Sequence, residues 1–555
     1  MSKQSNFPPH TAGKACLSAL LAAGMALAGQ SAAQAVEFQA KGQWLVGFAL
    51  GDASLIKKNH THDPLNDEDK FGASQRFRLQ LDAVASESLS GTLYFEIGDQ
   101  AWGRSTYADG TPSGGALGTD GMVVKVKGAW IDWMAPGIDL KTRMGIQPIA
   151  LPNAAGGSAV LDSDVAAVSA NWQINEYAGL TFAWMRPLND NFAGWTRTAT
   201  PQQRHEAGFL DNMDLFALSV PLTFDGVKLT PWVMYGFLGK YALNGISRDG
   251  TAGGVEDHFL HTGAGKSYNQ PGWKTADGSL LDSLTSYYDE MTDVHDSPLG
   301  PSGKSSFSMF WAGLPVVIDL WDPLHIELDF NYGFVESIGS YTVAKYGERS
   351  NRHVRASSQR QGWLAKALVE YRFDWGAPGV LAWYASGDDG DLKNGSERMP
   401  SIRGKGSFTS FTGYGGLDWG VKPGMCEWRS DYSGTWGVGL QLRDVSFLEG
   451  LSHTFRAVLQ GGTNSVSMVS YMEGRTAWNE GGVENPYLTT NDYLLEFNLD
   501  STYRMYENFA VHLDLGYVVN LVSKSTWNRR WMEDDPLSYS KKDAWKVQVA
   551  FEYTF

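Results

Sequence analysis

Apolar and polar residues alternate along most of this chain with a period of two, in runs of about ten residues separated by turns. In the final run, Trp545, Val547, Val549, Phe551, Tyr553 and Phe555 fall on one face. Lys546, Gln548, Glu552 and Thr554 fall on the other, with Ala550 the exception. Such a strand meets two media at once, and a transmembrane antiparallel β-barrel supplies them: lipid outside, a wet lumen inside. The pattern recurs upstream. Phe77, Leu79, Leu81 and Ala83 oppose Arg76, Arg78, Gln80 and Asp82. Leu324, Ile326, Leu328, Phe330 and Tyr332 interleave with His325, Glu327, Asp329, Asn331 and Gly333. In a dry sandwich each of those in-facing polar groups would need a partner, and a hydrated lumen removes that cost.

The turns alternate as well. Short links such as 86–90, 135–139, Asp225-Gly226 and Trp321-Asp322-Pro323 separate long polar connections near 51–73, 99–121, 148–166, 187–212, 240–303, 339–360, 386–431, 461–491 and 521–542. Nine long connections predict 18 strands with both termini on the short-turn side, which is periplasmic in outer-membrane barrels. The hairpin Val168–Trp172 with Gly179–Met185 decides between 18 strands and 16. A short helix is expected near 279–288, inside the longest connection.

Composition sharpens the picture at the N-terminus. Lys3 and Lys14, the small apolar run 15–29 and Ala33-Gln34-Ala35 predict a cleavable signal peptide over 1–35, leaving one barrel domain over 36–555. Cys16 lies inside that leader, so Cys426 is the one cysteine of the mature chain and no intrachain disulfide framework follows. No mature stretch is apolar enough for a transmembrane helix. Losing Lys3 and Lys14 takes the formal charge from -16 to -18, which makes nucleic acid a poor partner. The 21 Trp and 23 Tyr suit interfacial girdles, although some rings could line a sugar slide in the lumen.

Catalytic patterns are missing from the sequence. No histidine has metalloprotease spacing, and 358–362 lacks the glycines of a nucleophile elbow. His325 and Glu327 read as lumen-wall groups. Gly413-Tyr-Gly-Gly416 reads as a chance glycine cluster in a loop. Two features point to a pore constriction instead. Arg76, Arg78, Lys125, Lys127, Lys141 and Arg143 are expected on inward faces, with Glu96 among them. The third long connection, 148–165, is rich in small residues and is expected to fold into the lumen, where Asp162 and Asp164 would form a negative side. Charges facing one another across a waist order water and tune ion selectivity. The acids Asp388, Asp389 and Asp391, and those at 533–535, leave two readings: solvated outer loops, or oxygen ligands for a divalent ion such as Ca²⁺.

The chain resembles the homotrimeric outer-membrane porins of sulfate-reducing bacteria. The resemblance is carried by Val36-Glu-Phe-Gln-Ala-Lys-Gly-Gln-Trp-Leu45, Arg76-Phe-Arg-Leu-Gln-Leu-Asp82, Trp383-Tyr-Ala-Ser-Gly-Asp-Asp-Gly-Asp391 and the terminal Phe555. It implies three barrels side by side in outer-membrane lipid and lipopolysaccharide, a third loop inside each lumen, and passive diffusion of small hydrophilic solutes with no cofactor. A strand count of 18 departs from 16-stranded general porins and keeps open a sugar- or carboxylate-selective channel. A barrel enzyme or a surface binding protein would be the readings from other classes.

Overall fold

A computed structural model describes residues 36–53, 55–58, 70–103, 124–189, 212–239, 306–337, 340–345, 352–357, 359–421, 432–471, 487–527 and 539–555. The expected signal peptide, the helix near 279–288 and the acids at 533–535 lie outside them.

The strands that close the wall are β1 (Glu37–Asp52), β2 (Lys70–Ser86), β3 (Leu89–Ala101), β4 (Val124–Met134), β5 (Leu140–Ala150) and β6 (Asp162–Gln173). They continue as β7 (Gly179–Asn189), β8 (Asn212–Ser219 with Leu222–Phe224), β9 (Val227–Leu229 with Trp232–Gly239), β10 (Ser306–Trp321), β11 (Leu324–Val335) and β12 (Arg360–Tyr371). The circuit ends with β13 (Ala377–Ala385), β14 (Thr435–Val445), β15 (Leu451–Gly462), β16 (Tyr493–Tyr506), β17 (Phe509–Asn520) and β18 (Ala544–Thr554). Each pairs antiparallel with its sequence neighbours, and β1 pairs with both β2 and β18, so the 18 strands form a closed barrel with no free edge. The hairpin on which the count turned is real: β6 and β7 pair from Ala167–Met185 to Gln173–Gly179. Pro221 and Pro231, which cannot donate to a ladder, interrupt β8 and β9.

At the seam, Gln43 to Asp52 face Thr554 to Trp545. The last residue extends it, because Gly42 N–H donates to Phe555 O at 2.9 Å and Phe555 N–H donates to Gly42 O at 3.1 Å. A side chain on residue 42 would overlap the Phe555 ring, so this close approach needs glycine.

The two faces are as the alternation predicts. On β1, Phe38, Trp44 and Leu50 are exposed outward, while Leu45 and Ala49 are buried inward. Leu328 and Phe330 face out from β11, and His325, Asp329 and Asn331 are buried inside. Stacked and tilted aromatic pairs, Tyr371–Phe373 at 4.6 Å and Phe373–Trp375 at 5.4 Å, band the short-turn end. The inner face is not polar throughout. Across β6–β10, Ala183, Met185, Met213, Leu215, Met234, Met309 and Trp311 are buried in one cluster with residues of the third long connection.

Candidate functional site

Two connections cross the lumen and meet. The third, 151–161, is tighter than expected, because β5 runs on to Ala150 and β6 begins at Asp162. It does fold inward: Leu151, Ala155, Ala159, Val160 and Leu161 join the buried cluster. The seventh, 386–434, supplies Met399, Ile402, Phe408 and Tyr432 to that cluster. Their backbones pair: Arg403 N–H donates to Val160 O at 3.0 Å, Asp162 N–H to Arg403 O at 2.8 Å, Lys405 N–H to Ser158 O at 2.7 Å and Ser407 N–H to Gly156 O at 2.9 Å. Trp383, Phe408 and Tyr432 form an aromatic triangle with centroids 5.2–5.9 Å apart, and each such contact adds about 1 kcal/mol beyond its buried area.

From that junction the seventh connection runs to the opposite wall. Glu496, fully buried on β16, accepts Phe411 N–H at 2.8 Å and the Thr412 hydroxyl at 2.6 Å. Lys546 donates to Ser410 O. Gln548 accepts Val421 N–H at 3.1 Å and donates to Trp419 O at 3.0 Å. Trp419 and Val421 pack on Leu45, Ala49 and Ala550. Gly413 to Gly416 sit in this limb rather than in an idle loop. A Cβ at 413 would come within 2.6 Å of Gly406 O, and a Cβ at 415 within 2.7 Å of Thr409 O, so the fold-back needs both glycines.

On β2–β5 the expected cations meet carboxylates and rings. Arg76 lies over the Trp419 ring at 5.7 Å. Arg78 Nε donates to Glu96 at 2.7 Å, and Lys125 stands beside Glu96 in register, on the same face. Arg143 forms a two-point pair with Asp132 at 2.7 and 2.9 Å while stacking on Trp130 at 4.7 Å, and Lys141 reaches the same carboxylate at 3.5 Å. Arg78, Lys125, Lys141 and Arg143 all remain at least partly exposed on the inner face.

Two further expected members pair with each other. The β3–β4 register shifts between Tyr94–Gly128 and Phe95–Val126, which leaves Lys127 as an extra residue. On β6, Val165, Ala167 and Ser169 are buried inward, so Asp164 belongs to the outer face with its partner Pro148. Lys127 and Asp164 pair with each other at 2.5 Å, between β4 and β6. Asp162 does approach the lumen loops, with Lys405 Nζ at 3.9 Å. Lys405 also holds Asp418 at 3.1 Å, an acid that the sequence had not marked.

The outer acids are engaged. Asp388 is buried and accepts the Ser396 hydroxyl at 2.5 Å and the Tyr487 hydroxyl at 2.7 Å. Asp389 and Asp391 each accept a backbone N–H two residues on, at 2.7 and 3.0 Å, in turns of their own. Among the described residues no three acids, histidines or cysteines converge as a metal site. Burial, and then the neighbouring Asp389 and Asp388, push the Glu397 carboxyl up to about 7. Both ring nitrogens of His325 are taken by carboxylates, Asp319 at 2.6 Å and Glu327 at 2.9 Å, as befits a wall group. Among the described residues, Trp130, Trp232, Trp311, Trp383 and Trp419 are all buried, so these five offer no open ring for a sugar slide.

No known family profile matches the chain, and no curated protein matches it in sequence. Solved structures of similar outline exist. Pseudomonas aeruginosa OccK8 (OprE) aligns at 8% identity over 94% of this chain and 98% of its own, with a TM-score of 0.46. Pseudomonas aeruginosa OpdL aligns at 12% identity over 94% and 99%, with a TM-score of 0.44. Acinetobacter baumannii OccAB3 aligns at 10% identity over 93% and 99%, also at 0.44.

Proposed function

We propose that this protein is a passive channel of the bacterial outer membrane, exported by its cleaved leader, through which small hydrophilic solutes and ions diffuse. The observation that carries this reading is the basic strip on the inner face of a closed wall whose outer face is apolar. A strip of partly exposed cations, each backed by a carboxylate or a ring, is useful where water and solute pass along it. It would be costly in a dry core.

Arg76, Arg78, Lys125, Lys141 and Arg143 outnumber Glu96 and Asp132 on that strip, while Asp82 is balanced by Lys41 at 3.5 Å. This excess favours small anions, carboxylates among them, over cations. The crossing connections narrow the lumen and favour the selective form of the channel over a wide general pore. Association of three copies would let three such pores act in parallel.

Planar-bilayer recording of the refolded protein in a KCl gradient tests all of this. Discrete openings with an anion-preferring reversal potential are expected, closing in three equal steps if three barrels associate. A bilayer that stays electrically silent overturns the channel reading, and a cation-preferring potential overturns the role of the strip.

A further inference from the structure

The tip of the third connection has an unusual conformation. Ala155, Gly156 and Gly157 follow one another with φ of 51°, 90° and 85°, all left-handed. One such residue without a glycine is already uncommon, and the turn brings the carbonyls of Ala154 and Gly157 to one place. They converge on a cation: Lys366 Nζ donates to Ala154 O at 3.2 Å and to Gly157 O. The same ammonium pairs with Asp329 at 2.9 Å, and both side chains are wholly buried. The Tyr432 ring lies 5.6 Å from it, and the Tyr432 hydroxyl donates to Gly156 O at 2.5 Å. Two wall acids take the tip's N–H groups, Glu327 from Ala155 at 2.6 Å and Asp329 from Ala154 at 3.3 Å.

The connection itself contributes no charge, since 151–161 reads Leu-Pro-Asn-Ala-Ala-Gly-Gly-Ser-Ala-Val-Leu. The charged groups that touch its tip come from β11 and β12. We infer that Lys366 is the positioning residue of the channel: its ammonium fills a nest of backbone carbonyls and pins the third connection across the lumen, which sets the width of the passage. This rests on the channel reading above. Apolar packing and hydrogen bonds to the seventh connection hold it in the lumen, and the buried ion pair adds a charged anchor at the tip itself. That anchor is an ion in a cradle, with the side chain as a tether.

The tether makes the inference testable by chemical rescue. Lys366→Ala leaves the cradle and its two acids with no cation. Planar-bilayer recording of this variant should show conductance raised by about twofold, with noisier openings, because the tip no longer narrows the path. Adding propylammonium chloride should return the wild-type level, whereas tetramethylammonium, which has no N–H to donate, should not. Hydrogen exchange of peptides covering 150–161, followed by mass spectrometry in detergent, reads the same event without any channel, and should quicken by about tenfold or more in the variant. If Lys366→Ala does not fold, Glu327→Ala removes one tip contact and should move conductance and exchange in the same direction by less.

Wild-type conductance and exchange in the folded variants would overturn the inference, as would a change that propylammonium and tetramethylammonium affect alike. A wild-type protein that opens no channel, with exchange at the tip still governed by Lys366, would sink the channel reading and leave the pin standing.

Discussion

The two connections that cross the lumen are held by opposite means. The third brings apolar side chains and a charge-free backbone, and the wall supplies the ions. Leu151, Ala159, Val160 and Leu161 are buried among Val165, Ile402 and Phe408, while Lys366 and Asp329 grip the tip. The far limb of the seventh is gripped mainly through its backbone by wall side chains, Glu496, Lys546 and Gln548, with Arg456 donating to Gly415 O at 3.2 Å. Apolar packing yields nothing to water. A hydrogen bond gained on folding replaces one made to water, at a net value of only about 1 kcal/mol. The far limb of the seventh is therefore the part of this plug that loosens first.

The largest effect that would break this contrast belongs to the third connection. Gly157→Ala puts a Cβ on a residue at φ 85° and drives it into the backbone carbonyl of Lys405, which cannot step aside alone. A loss of about 3 kcal/mol is expected, seen as a lower urea midpoint in detergent micelles. A variant as stable as wild type would mean that the tip is loose after all. Glu496→Ala probes the other side. It strands the N–H groups of Phe411 and Thr412, at a cost of about 2 kcal/mol, and exchange should quicken over 409–416 but not over 151–161. Glu496→Gln keeps an acceptor and should cost about half as much. Equal loosening of both connections would show one cooperative plug rather than two anchors.

The same contrast explains what could be read from the chain. Strand alternation gave the wall, its two faces and its connections, because a period of two survives wherever pairing is regular. The third connection stood out because small apolar residues are odd in an outer loop. The seventh did not. Its 401–416 segment is polar and glycine-rich like any surface loop, and its grips, Glu496, Lys546 and Gln548, lie more than 80 residues away and look like wetted wall. The apolar inner face of β6–β10 was hidden for the opposite reason: Met185, Met213 and Leu215 look lipid-facing until something is known to cover them. Lys127 could not be placed from the alternation, because one extra residue in β4 shifts the count and a shift of one reverses every face beyond it.

A smaller effect sharpens the electrostatic side of the comparison. Asp418, on the far limb, is 63% exposed and shares Lys405 with Asp162. It follows Leu417 and precedes the Trp419 ring that Arg76 covers, so it stands near the basic strip. Asp418→Asn removes one lumenal negative charge and should raise anion over cation permeability by about twofold at low salt, with less change at 1 M, where screening shortens its reach. Asp389→Asn, whose carboxylate is spent on its own turn, should leave the reversal potential unmoved. If both substitutions shift it equally, charge anywhere on the mouth governs selectivity and the position of the limb does not.

The smallest effect lies at the root of the seventh connection, where the chain leaves β13. Glu397 accepts Asp389 N–H at 3.0 Å, with Asp388 and Asp389 close enough to resist its ionisation, and Arg398 one residue on is turned to the Tyr487 ring at 5.3 Å. Its carboxyl therefore ionises near 7 in the folded protein against an ordinary value of 4.5. A raised carboxyl favours the folded segment fully below the ordinary value, and that advantage fades as pH climbs through the folded one. Between pH 4.5 and about 7 the root should become easier to open, so hydrogen exchange over 386–398, corrected for its intrinsic pH dependence, should quicken across that interval. Glu397→Gln cannot ionise and should flatten the profile while leaving exchange at 409–416 as it was. A profile that stays sloped in Glu397→Gln would take the titration away from Glu397. A flat wild-type profile would mean that the root is held by Asp388, Ser396 and Tyr487 alone, and that this end of the seventh connection is as firmly fixed as the tip of the third.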